Sequence, residues 1–169
     1  MLLADDAFAI SDPYGLMVGR AVAVVQLNVR QGQVGEGLSN LYRVDVEKIY
    51  RGHVSEVERD EIACACDLKT GGSYLAFLYE FEGKPYIRGA YEIRAADDEQ
   101  VRVMGHSGAI VLVEDASNSH RHPLFLIHED PQRYDARIVV TGKLHKVPVN
   151  GWYPLDVVIR DIRRRRGDD

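Results

Sequence analysis

The stretch Leu41-Tyr42-Arg43-Val44-Asp45-Val46-Glu47-Lys48-Ile49-Tyr50-Arg51-Gly52 decides the fold class. Tyr42, Val44 and Val46 alternate with Arg43, Asp45 and Glu47, the period of two that marks a half-buried strand. The phase then slips, because Glu47 and Lys48 are consecutive polar residues and Ile49 carries the apolar signal on the other parity. One extra residue at that point is what a β-bulge supplies, and a bulge bends and twists its strand. The stretch therefore predicts a long, bent strand in a strongly curled sheet.

Upstream, Asp12-Pro13-Tyr14-Gly15 reads as a β-turn. Leu16 to Val29 comes next as a strand with almost no alternation, the pattern of burial on both faces, kinked at Gly19. Gln31 to Asn40, with Gly32, Gly35 and Gly37, is a flexible connection across which the two strands pair antiparallel. Downstream, Glu61 to Asp67 is a short strand with Ile62, Cys64 and Cys66 on one parity. Tyr74 to Phe81 and Tyr86 to Ala95 form a hairpin around Glu82-Gly83-Lys84-Pro85. Short strands follow at Val101 to Met104 and Ala109 to Val113, and Glu114 to Asp135 is the least regular part. Ala136 to Val149 and Trp152 to Ile162 read as a last pair of strands joined at Asn150-Gly151. No helix longer than a turn or two shows an apolar stripe. Many strands, glycine-rich turns and a bent early strand predict an all-β chain: an antiparallel, OB-like β-barrel with an additional C-terminal hairpin.

A length of 169 residues, 46% of them hydrophobic, suits one domain with a sizeable core; it is expected over 8–163, with 164–169 as a disordered tail. The net charge of −5 argues against a nucleic-acid partner without excluding it, given the run Arg163 to Arg166. No apolar run is long enough to span a membrane. Met1 to Ala7 is too short for a signal peptide. It is either the stub of a removed leader, which would place the chain outside the cytoplasm, or an ordinary start.

Three segments succeed one another in an order that resembles a known module: Gly19-Arg20-Ala21-Val22, then Tyr42 to Gly52, then Cys66-Asp67-Leu68-Lys69-Thr70-Gly71-Gly72-Ser73-Tyr74-Leu75-Ala76-Phe77. From about Val18 to Ala90 the chain is similar to the first half of the netrin-like module, found in tissue inhibitors of metalloproteinases and in bacterial proteins. The resemblance implies a five-stranded OB-type barrel and a protein-binding role. It does not extend to metalloproteinase inhibition, because the zinc-chelating N-terminal cysteine of those inhibitors has no counterpart before Asp12. Cys66 matches a family cysteine whose usual partner is missing from Ile87 to Tyr91.

Motif chemistry is sparse. Cys64 and Cys66 share a strand face and read as small core hydrophobes, a disulfide between them requiring strained geometry. As metal ligands they would need His53 or His106, and no second Cys pair supplies zinc-site spacing. His120-Arg121-His122 and His128-Glu129-Asp130 lie in the loop-rich part, where histidine is commonly solvated. No nucleophile elbow and no phosphate loop are present. Tyr86 and Arg88, on one parity of the returning hairpin strand, are the candidate ligand-binding pair, since OB-type barrels stack bases or sugars on such residues. The residues thus point to a non-enzymatic module that binds another protein and needs no cofactor or metal. The alternatives are a binder of single-stranded nucleic acid or oligosaccharide and a metal-binding enzyme at Cys64, Cys66 and a histidine.

Overall fold

The computed structural model describes residues 13–33, 40–54, 61–94, 98–105, 108–110, 112, 125–128, 135–140, 143–148 and 151–166. Helix α1 (Pro13–Arg20) leads into β1 (Ala23–Gln33) and β2 (Asn40–Gly52). The short β3 (Ile62–Cys64) precedes the hairpin of β4 (Ser73–Phe81) and β5 (Lys84–Arg94). Then come β6 (Gln100–Arg102), β7 (Met104–Gly105) and β8 (Gly108–Ala109). The chain continues through β9 (Phe125–His128), β10 (Asp135–Val140), β11 (Lys143–Pro148) and β12 (Trp152–Pro154) to helix α2 (Leu155–Arg166).

Five strands close a ring. β1 pairs with β2 and β4, β2 with β3, β3 with β5, and β5 with β4. All these ladders are antiparallel except β3–β5, which is parallel and only two residue pairs long. β6 and β12 extend the sheet beyond β5. β9, β10 and β11 form a separate antiparallel sheet.

The slip at Glu47 is a real bulge: Gln26 opposes Lys48 and Leu27 opposes Val46, so Glu47 is the extra residue. A second one at Tyr50 lies between Ile49, opposite Val25, and Arg51, opposite Val24. On one face of β1, Ala23, Val25, Leu27 and Val29 pack with Tyr42, Val44, Ile62, Ala76, Leu78 and Ile87 inside the ring. On the other face Val24 joins Leu75, Phe77, Tyr91 and Ile93 under the two helices. The near-continuous apolar runs of β1 and β4 are thus explained by cover on both sides.

Four expectations are corrected, and the two helices also overturn the turn read at Pro13 to Gly15 and the expectation of no helix longer than a turn or two. Leu16 to Val22 is not strand: Tyr14, Met17, Val18 and Ala21 recur at i, i+3, i+4 and i+7 and bury one side of α1, with Pro13 at its tolerated first position. Arg51 caps that helix, donating to the carbonyls of Val18 and Ala21. The expected strand Trp152 to Ile162 ends at Pro154, because Leu155, Val158, Ile159 and Ile162 match the helical period and dock on the outer cluster. The ion pair Asp156–Arg160 adds i,i+4 support at 3.6 Å. The C-terminal hairpin is accordingly β10 with β11, Ala136 opposite Val147, rather than a pair turning at Asn150-Gly151. Arg163 to Arg166 is the last turn of α2, so 164–166 of the expected tail are helical, with Arg165 bound to Asp161 at 2.9 Å, and 167–169 lie outside the described residues.

Candidate functional site

Where β3 meets β5, the ring presents an open groove of about 960 Å³. Leu41, Ala63, Cys64, Pro85 and Ile87 give it apolar walls, with Phe81, Tyr86 and Arg88 on its flank. The parallel pairing places Ala63 beside Tyr86 and Cys64 beside Ile87, so residues more than twenty positions apart share one surface. Two smaller recesses, of about 70 and 260 Å³, share Glu61 with it and are lined mainly by polar groups such as Arg43.

The β4–β5 turn shapes one end. Glu82 and Gly83 have φ of 51° and 75°, the positive values that a two-residue type I′ turn requires at both central positions. That tight turn lifts Phe81 to the tip, where it is 67% exposed. An exposed phenylalanine contributes nothing to the core, which makes it the residue that sequence reasoning missed; its place at the end of an alternating strand, next to a turn, hides the signal.

Tyr86 is half-buried and packs edge to face on Tyr79, ring centroids 5.9 Å apart. Its partner Tyr79 sits opposite it in the ladder and has its phenol raised by burial. Arg88 is exposed and occupies a bulge, since Phe77 opposes Gly89 while Leu78 opposes Ile87. Bulges re-aim side chains, and here both predicted residues line the same groove. Glu61, Glu82, Lys84 and Arg88 give it two acidic and two basic groups.

Cys64 and Cys66 are buried in the ring's interior cluster, as expected, but they are also bonded to each other. Their Cα atoms stand 5.3 Å apart, within the ordinary disulfide range, because the chain bends sharply after β3. The bend is held independently: the Tyr42 hydroxyl donates to the Cys66 carbonyl at 3.0 Å and accepts the Leu68 N–H at 3.0 Å. Closing so short a loop restricts the unfolded chain by only about 1.6 kcal/mol, roughly half of what a 15-residue loop provides.

With both sulfurs bonded to each other, the thiolates that a zinc site would use are absent. His53 is exposed at the end of β2. His106, His120 and His122 lie outside the described residues, as does the glycine-rich connection 34–39, while His128 and His145 are placed by backbone alone. Among the described residues no group of three or more His, Cys, Asp or Glu side chains is placed to hold a metal, and no helix is long and apolar enough to cross a membrane.

Comparison of the chain with protein-family models, with curated proteins and with solved structures finds no match in any of the three.

Proposed function

We propose that this chain is a non-enzymatic binding module whose groove takes an extended segment of another protein. The observation that carries the reading is the meeting of exposed Phe81 with Tyr86, Arg88 and an apolar wall in one open groove. Aromatic and arginine anchors around an apolar centre are what protein interfaces concentrate. The groove's balance of two acidic and two basic groups suits a polypeptide of mixed charge better than a polyanion.

The ring order β1-β2-β3-β5-β4 is in keeping with an OB-type barrel, in which the face of strands 2 and 3 and the loop between strands 4 and 5 form the usual binding surface. A netrin-like module over about residues 18–90 accords with the same reading. Cys66 departs from it by bonding to Cys64 instead of to a residue of the hairpin. A disulfide also favours an oxidising compartment outside the cytoplasm.

The test is photo-cross-linking from position 81 of the full chain against the proteins of its native compartment, and then affinity measurement on the partner recovered. The double variant Phe81→Asp/Tyr86→Ala should bind that partner about thirtyfold more weakly, the effect of losing interface anchors. Unchanged affinity would overturn the reading. The trio Phe81, Tyr86 and Arg88 also supports a second reading, a stacking platform for single-stranded nucleic acid or oligosaccharide. Anisotropy with labelled oligonucleotides decides that one, and absence of binding at low salt rejects its nucleic-acid form.

A further inference from the structure

We infer that the Cys64–Cys66 disulfide is a thiol-exchange site for a cysteine-bearing segment seated in the groove; the inference rests on the groove reading above. The bond is a poor staple. It spans a single residue, and the bend it closes is already held by the Tyr42 hydroxyl through Cys66 and Leu68. Its position instead joins it to the binding surface: Cys64 and Ala65 both line the groove, with Ala65 exposed between the two cysteines. Exposures of 1% for Cys64 and 4% for Cys66 bury the bond in the ring's interior, so exchange requires the two-pair β3–β5 ladder beside the groove to part as the segment seats.

The chemistry balances with a dithiol polypeptide as the co-reactant. Its thiolate attacks Cys64 Sγ, the Cys64–Cys66 bond breaks, and Cys66 leaves as a thiolate that takes a proton from solvent. A second thiol of the partner then attacks the partner's sulfur in the mixed disulfide and expels Cys64 as a thiolate, which is protonated in turn. The N–H of Cys66 lies 3.2 Å from Cys64 Sγ and donates to it, so the sulfur that must leave in this second step has a hydrogen-bond donor beside it. Two electrons pass from the partner, which gains a disulfide, to this chain, which gains two thiols.

The test tracks intact mass after mixing the full chain with a short peptide carrying two cysteines flanked by valine and leucine, or with glutathione at equal thiolate concentration. The chain should gain the mass of two hydrogens at least about tenfold faster with the peptide, and Phe81→Asp should remove that advantage. A peptide carrying one cysteine should stop at the mixed disulfide on Cys64 of the wild-type chain and add its full mass, whereas Cys66→Ser, which has no disulfide to attack, should add none; if that variant does not fold, the wild-type mass change still decides the matter. Equal rates with glutathione, or rates indifferent to Phe81→Asp, would overturn the inference. Absence of exchange while the serine version of the peptide binds would also overturn it but leave the groove reading standing. Absence of both exchange and binding removes the inference and leaves the groove reading without this support.

Discussion

At Gly52 the backbone takes a φ of 78°, and a Cβ there would run into the Val22 carbonyl and come within 2.8 Å of the Ala23 Cα. Both obstacles are backbone at the start of the strand opposite, so neither can rotate away, and the conformation itself disfavours any L side chain. Gly52→Ala should therefore lower stability by about 2 kcal/mol or more. A urea titration checks it, an unchanged midpoint being the contrary result. The bulge at Glu47 shows the opposite case, in which a single residue was legible. Its side chain accepts from Gln26 at 3.2 Å and from Asn28, so a polar residue where apolar alternation breaks has partners on the strand surface. Arg88 was legible only in part. Its residue type suggested a ligand contact, but the bulge that aims it depends on the register with β4.

Among the elements, α2 is the one that local pattern concealed. Leu155, Val157 and Ile159 satisfy a strand's period, while Leu155, Val158, Ile159 and Ile162 satisfy a helix's, and both readings fit the same few residues. What selects the helix is tertiary: it docks against the cluster that also buries Tyr14 of α1. The two helices are tied by the Tyr14 hydroxyl, which donates to Asp161 at 2.9 Å, while Arg165 donates to the same carboxylate and stacks 4.9 Å over the Tyr14 ring. Burial first, and then the Asp161 charge, push the Tyr14 phenol well above its usual range, with Arg165 opposing. An unfolded tyrosine loses its proton near about pH 10, whereas the folded one keeps it to higher pH. The stability involved is thus fully present below about pH 10 and is lost as pH rises toward the folded value. Thermal melts across the alkaline range should show that decline, and Tyr14→Phe should flatten it; an equally steep decline in the variant would refute the tie.

On the scale of the molecule, the ring is weakest around β3, which three residue pairs join to β2. Two residue pairs join β3 to β5, against ladders from Ala23 to Asn28 between β1 and β4 and from Ser73 to Phe81 between β4 and β5. Native-state hydrogen exchange should find the amides of residues 62–64 opening at least about tenfold more readily than those of residues 24–27. Equal protection would show that the ring opens only by global unfolding. The short β3–β5 ladder also explains why the site was less legible than the fold. The β1–β2 and β4–β5 pairings arise from neighbouring stretches, but the parallel contact that brings Ala63 to Tyr86 leaves no periodic trace. The outer cluster has a consequence for how the protein is made. Tyr14 and Asp161 are 147 positions apart, and α2 supplies Leu155, Val158, Ile159 and Ile162 to the cluster that also holds Val24, Leu75 and Phe77. At ordinary elongation rates the ribosome needs roughly 7–30 s to travel between those residues. Until α2 emerges, the nascent chain carries a greasy face awaiting the twelve residues of that helix, which makes it a natural client for a holding chaperone.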